Sequence, residues 1–168
     1  MKVDFVNPFI AAAMDVVKAT IDVDLERGPI RLETSKIAAD DVTVVIGVTG
    51  SAEGIVLYGM SERAAKSLAS AMIGRRIPVF DALAESAVAE LGNMIAGRAT
   101  TGLENQGYVC RLTPPTLLYG RGTLISLFDI NRLVIPLSSE HGLIEISVAL
   151  RDHRTSTLLS DITCSDRG

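Results

Sequence analysis

Two β-rich runs, residues 42–49 and 55–59, constrain the fold of this chain more than any other segment. Val, Ile and Thr crowd the first run, and Gly50 and Gly54 bracket the link between them. That is the pattern of a β-hairpin. A second pair lies near the end. Residues 132–137 and 143–150 are joined by the polar loop 138–142, and Ile144, Ile146 and Val148 alternate with Glu145 and Ser147. Hairpins build antiparallel sheet, whose strands need no helical crossover.

Helices precede and separate these pairs. Asn7-Pro8 predicts a helix start, with Asn7 as the N-cap and Pro8 at the first helical position. Phe9, Ile10, Ala13, Met14, Val16, Val17 and Ile21 continue it, and the Arg27-Gly28-Pro29 turn stops any extension. Residues 30–37 read as a strand. Ser61 caps a helix over 62–73 that Gly74 ends, and Pro78 leads to a long helix over 81–98. After Gly102 strands return at 108–113, which meets Pro114-Pro115, and at 123–130. Residues 151–168 are mostly polar and are expected to be loosely ordered. The expected class is α+β: a largely antiparallel sheet with long helices packed on one face. Both halves share a helix-then-strands rhythm, which suggests an internal duplication.

The long helix carries the chemistry. At about 100° per residue, Leu83, Ala84, Ala87, Val88, Leu91, Met94 and Ile95 fall on one apolar face. Ser86, Glu90, Asn93 and Gly97 form a second line beside it. On most helices a carboxylate and a carboxamide three residues apart are simply a solvated face. Here the line borders the apolar face rather than opposing it. Gly92 and Gly97 each cost a helix roughly 1 kcal/mol relative to Ala. Such glycines point to close approach by a neighbour, either the other long helix or a partner.

Composition narrows the function. At 168 residues the chain fits one domain. Trp is absent and the core is aliphatic. A net charge of -4 leaves no basic footprint, so nucleic acid is not an expected partner. Cys110 and Cys164 stand far apart without a CxxC, against a disulfide framework or a zinc knuckle. Cys110, in an apolar strand, reads as a small core residue. Asp4 sits where a secretory signal would be apolar, and no apolar run reaches the roughly 20 residues of a membrane span. A cytoplasmic protein without a membrane partner is expected. Phosphate loops, dinucleotide fingerprints, HExxH and GxSxG are all missing. His141, in a turn, and His153, in the tail, read as solvated residues.

Ser86-x-x-x-Glu90-x-x-Asn93, with Pro115 just past the next strand, resembles the signature of the CheC/CheX/FliY phosphatase family. Asn7-Pro8-Phe9 and the run Glu90-Leu-Gly-Asn-Met-Ile95 are similar to its CheX branch. The resemblance covers residues 1–150 and leaves 151–168 as a tail. It implies a CheC-like pseudo-duplicated fold and a phosphatase acting on a phosphorylated CheY-like response regulator. Asn93 would orient the attacking water, and Glu90 would pair with the partner's lysine. Glu90, Ser86, Gly97 and Pro115 would contact the partner. No cofactor would be bound by this chain, because Mg²⁺ belongs to the partner receiver domain. The CheC branch carries two copies of the signature. The first long helix here, around Ala11–Lys18, has no Glu-x-x-Asn, so one site is expected, in a homodimer as in the CheX branch.

Two other readings compete. One is a non-enzymatic chemotaxis adaptor or flagellar-switch-like module that binds a receiver domain without hydrolysing its phosphate. A pure binder does not need the carboxamide. The other is an interaction domain whose polar line only meets water. Exposure of Glu90 and Asn93 separates it from the first.

Overall fold

The computed structural model describes residues 3–34, 37–120, 122–125 and 131–154. A 3-10 turn (Val3–Phe5) leads into α1 (Asn7–Ile21), followed by β1 (Glu26–Arg27), β2 (Arg31–Glu33) and β3 (Ile37–Ala38). The first hairpin is β4 (Val42–Gly50) and β5 (Ala52–Met60). Then come α2 (Glu62–Ile73) and α3 (Ala82–Glu104). The second half has β6 (Cys110–Leu112), β7 (Thr116–Tyr119), β8 (Leu124–Ile125), β9 (Arg132–Ser139) and β10 (Gly142–Asp152).

Both expected hairpins form, and β5 pairs with β10 to join them in one antiparallel sheet. Only Ser51 separates β4 from β5, a tighter reversal than the expected loop. Gly50 makes it possible at φ +116, a backbone that L side chains rarely adopt. The strand order is β1-β9-β10-β5-β4-β6, with β2 also on β9 and β7 also on β4. Exchange β1 and β2 for β6 and β7, and the first hairpin for the second, and the order reads the same from either end. Each half lends its short strands to the other half's hairpin. β3 and β8 form a separate two-stranded ladder. Of the strand expected over 123–130, residues 126–130 lie outside the described residues, as do residues 155–168 and Cys164.

One face of the sheet makes the core. Val42, Val44, Ile46 and Val48 of β4 point inward with Val56, Tyr58 and Met60 of β5 and Ile144, Ile146 and Val148 of β10. The period of two puts these side chains on one face, where α1, α2 and α3 cover them. Cys110 is buried and free, as expected of a core residue. On the opposite face Arg31 bonds Glu145 at 2.7 Å, and Arg132 pairs with Glu33.

The helix ends show which local signals held. Ser61 Oγ accepts from the Ala64 N–H at 3.1 Å, and Gly74 closes α2 in the left-handed region. Asp81 caps α3 by accepting from the Ala84 N–H at 3.0 Å. The cap of α1 differs from expectation. Val6, not Asn7, is the N-cap, and its carbonyl accepts from the Phe9 and Ile10 N–H groups at 3.0 and 3.1 Å. Burial of Phe5 and Val6 fixes the entry of the chain, so no side-chain cap forms. Helix α3 runs six residues beyond the expected 98 because Gly102 seats against Pro8 of α1, where a Cβ would lie 3.0 Å from the proline ring. His141 is not merely solvated either: its Nδ1 lies 2.8 Å from the Ser67 hydroxyl, tying the β9–β10 turn to α2.

Candidate functional site

Helix α3 lies on β4 through Gly92. A Cβ there would stand 3.0 Å from Val44 Cγ1 and 3.3 Å from Tyr58 Cδ2, so only glycine lets the helix sit this close. With Gly92 toward the sheet, about 100° per residue sets the flanks. Gly102 and Arg98 fall on one side, where they meet Pro8 and Asp15 of α1. Ser86, Asn93 and Gly97 fall on the other side, away from α1 and toward the edge that carries β6 and β7. Glu90 lies between that flank and the outer surface.

Ser86 and Glu90 are exposed, and Asn93 is half-buried at the edge of the helix–sheet seam. None of the three has a hydrogen-bond or ion-pair partner among the described residues. The contrast with α1 is direct. Two of its exposed charged groups are engaged within the chain: Asp15 by Arg98 at 3.3 Å, and Lys18 by Asp22 and Asp24 at 3.0 Å each. The Glu90 carboxylate and the Asn93 carboxamide are held by a rigid helix and left available.

The two glycines of the line do different work. Gly92 is an internal seat. Gly97 is exposed, and a Cβ there would meet nothing within 4 Å. No neighbour among the described residues requires it.

Pro115 is not on the helix. β6 and β7 both pair with β4, where Val48 opposes Leu112 and Val45 opposes Thr116. Between them Thr113 bonds Gly47 twice: its N–H donates to the Gly47 carbonyl at 2.9 Å, and its hydroxyl accepts from the Gly47 N–H at 2.8 Å. Pro114 and Pro115 then stand opposite Ile46 alone, which is a β-bulge. The proline pair interrupts the edge strand rather than ending it, because neither residue has an N–H to give the ladder. The structure therefore brings Ser86, Glu90, Asn93 and Gly97 together and sets Pro115 on the neighbouring edge.

The apolar face of α3 departs from expectation in one respect. Leu83 and Met94 are not in the core but 44% and 37% exposed. The buried arc is centred on Gly92, Ile95, Ala96 and Ala99, so it is rotated away from both residues. The small residues, not the large ones, decide which side of the helix can approach the sheet.

Elsewhere the surface carries acidic clefts. One of about 560 Å³ is lined by Asp40, Asp41, Ser61 and Glu145. The Asp40 carboxylate occupies the space a side chain at Gly59 would need, and partial burial, then Glu145 and Asp41, raise its pKa. Another, about 600 Å³, includes Glu62, Arg63 and Tyr119. The Tyr119 hydroxyl donates to Glu62 at 2.8 Å, and that bond raises its pKa. Among the described residues no three His, Cys, Asp or Glu are placed to hold a metal ion. No described helix is long and apolar enough to cross a membrane.

The chain as a whole is similar to several known proteins. The family model for the chemotaxis phosphatase CheX matches residues 42–138. The "CheY-P phosphatase CheX" of Thermotoga maritima is 35% identical over 140 residues, covering 82% of this chain and 89% of that protein. A CheC-like superfamily protein from Shewanella sp. PV-4 superposes with a TM-score of 0.81 at 27% identity, over 90% of this chain and 99% of that one. A chain of the CheX-CheY-BeF3-Mg+2 complex from Borrelia burgdorferi does so at 0.76 and 30% identity, over 89% and 99%.

Proposed function

The chain belongs to the CheX family of chemotaxis phosphatases, and from that premise we propose that it hydrolyses the aspartyl phosphate of a CheY-like response regulator by inserting the open flank of α3 into the regulator's active site. The observation that carries this reading is the pairing of Glu90 and Asn93, side by side on one helix and unpartnered among the described residues, while Asp15 and Lys18 of α1 are held in ion pairs. A phosphoaspartate is an acyl phosphate, and charge builds on its phosphoryl oxygens as water attacks. The divalent ion that neutralises this charge belongs to the partner, in keeping with the Mg+2 named in the Borrelia complex.

What this chain adds is position. The Asn93 carboxamide can accept from the attacking water through its oxygen and donate toward the phosphoryl group through its nitrogen. It cannot take a proton at neutral pH, so its contribution is orientation and lost entropy. Glu90, one turn earlier, pairs with a lysine of the partner and sets the register. Ser86 lines the entering flank, and Pro115 fixes the neighbouring edge. The partner's phosphorylation places the work in the cytoplasm, and a homodimer is part of the same proposal by likeness to the branch. A purely binding module is disfavoured, since binding alone leaves the amide without a task.

The primary test is decay of candidate phosphorylated receiver domains. Adding this chain should speed the decay of one of them in Mg²⁺, and EDTA should remove the effect. No acceleration of any receiver from the source organism would end the reading.

Gly97 supplies a second test. With open space around its Cβ, Gly97→Ala should raise folding stability by roughly 1 kcal/mol, since the helix gains propensity and loses no packing. On this reading the same methyl stands where the partner approaches Asn93. Turnover of the phosphorylated receiver should therefore fall while the melting temperature rises. Unimpaired turnover in the stabilised variant would show that Gly97 gives the partner no clearance.

A further inference from the structure

Seven large apolar side chains are exposed among the described residues, and four of them gather at α3: Val79, Leu83, Met94 and Tyr119. Val79 precedes the helix by three residues, and Tyr119 stacks at 5.2 Å on Phe80, next to the Asp81 cap. Leu83 and Met94 are eleven residues apart, three helical turns, so they stand on one line along the outer surface. Glu90 lies between them on that line, and Ala87 fills the remaining turn. The apolar residues therefore bracket the polar pair fore and aft. Among the described residues no hydrogen bond, ion pair or ring contact engages Leu83 or Met94.

We infer that Leu83 and Met94 are the affinity anchors for the receiver domain, holding it on α3 independently of the phosphoryl group. The inference rests on the functional reading above and adds to it residues outside the family signature. The occupant is the receiver domain rather than a second copy of this chain, because the line is continuous with the flank that must enter the receiver's active site. A helix inserted as far as Glu90 and Asn93 cannot avoid burying Leu83 and Met94 against the same partner. Chemistry divides the labour. Removing apolar surface from water is favourable whether or not the partner carries phosphate. The amide of Asn93 acts only on the attacking water and the phosphoryl group. Met94, unbranched and adaptable, suits a contact that must follow the shape of another protein. Leu83, in the first turn, fixes the end of the footprint nearest Tyr119.

The experiment is a comparison of the full-length chain with the Leu83→Gln, Met94→Gln double variant, which keeps helix propensity and removes the apolar surface. Single-turnover decay of the phosphorylated receiver is measured against enzyme concentration. Binding to the same receiver, unphosphorylated and with beryllium fluoride, is measured beside it. The double variant should raise the half-saturating concentration by about tenfold or more, as central apolar contacts do. Its maximal rate should stay within about twofold, and binding should weaken equally for both receiver forms. The conservative Leu83→Met variant, with Met94 intact, should keep the wild-type values. Unchanged saturation overturns the inference while Asn93→Ala keeps its defect and the functional reading stands. A change in oligomeric state without a change in saturation also overturns it and assigns the face to a second copy. A wild-type chain that neither binds nor dephosphorylates any receiver overturns both.

Discussion

Asn93→Ala should leave the phosphorylated partner to decay at its own unaided rate, a loss of on the order of a hundredfold or more, because on the proposed mechanism the variant lacks the one group that places the water. The Asn93 side chain has no hydrogen-bond partner among the described residues, so its removal strands none of them. Ala is also the better helix former, by about 0.5 kcal/mol, so the variant should melt no lower than the parent. Affinity for the partner should be nearly intact, since Glu90 and the flanking surface remain. Decay of the phosphorylated receiver gives the rate, and binding in beryllium fluoride gives the affinity. A folded Asn93→Ala protein with full activity removes the mechanism. Glu90→Ala should behave differently, weakening binding together with rate, because it acts on register rather than on water.

The second large effect is on the fold. Gly92→Val places branched carbon where a single Cβ already stands 3.0 Å from Val44 and 3.3 Å from Tyr58. Both neighbours belong to the packed core. Val44 is fully buried beneath the helix, and Tyr58 is buried with a hydroxyl that finds no hydrogen-bond partner among the described residues. Helix α3 has to lift from the sheet or the side chains have to leave their rotamers, at a cost of about 3 kcal/mol. Denaturant unfolding measures this directly, and phosphatase activity should fall with it because the site rides on the same helix. A variant as stable as the parent would mean that α3 is not seated on β4 as described. Gly97→Ala, five residues away on the same helix, is expected to move stability the opposite way.

Much of this was readable in the residues. The hairpins were legible because β-rich runs meet at Gly50 and at the polar turn 138–142, and both carry the antiparallel sheet. The caps of α2 were legible because Ser61 and Gly74 act on their own neighbours in sequence. The polar line of α3 was legible because periodicity places Ser86, Glu90, Asn93 and Gly97 together whatever the helix packs against. What was hidden depended on distant partners. β7 was masked by Pro114-Pro115, since the strand resumes only because β4 offers it a ladder across the bulge. The end of α3 was masked by Gly97 and Gly102, which look like breakers until Pro8 is packed against one of them. Leu83 and Met94 looked like core because hydropathy reports apolarity and not direction. Gly92 and Gly97 looked alike, and only the surroundings of each Cβ tell a seat from a gap.

The symmetrical strand order has a mechanical consequence. Glu26 is zipped to Ser138 and Val48 to Leu112, so each half is clasped by ribbon from the other. Neither half owns a finished sheet, and neither can stand if the chain is divided between α2 and α3. Such interlocking ties the earliest residues to the latest, which slows assembly but makes it all-or-none. The helix proposed to meet the partner is thereby braced by strands from both halves of the sheet at once. On that proposal, the brace lets it press into another protein's pocket without giving way.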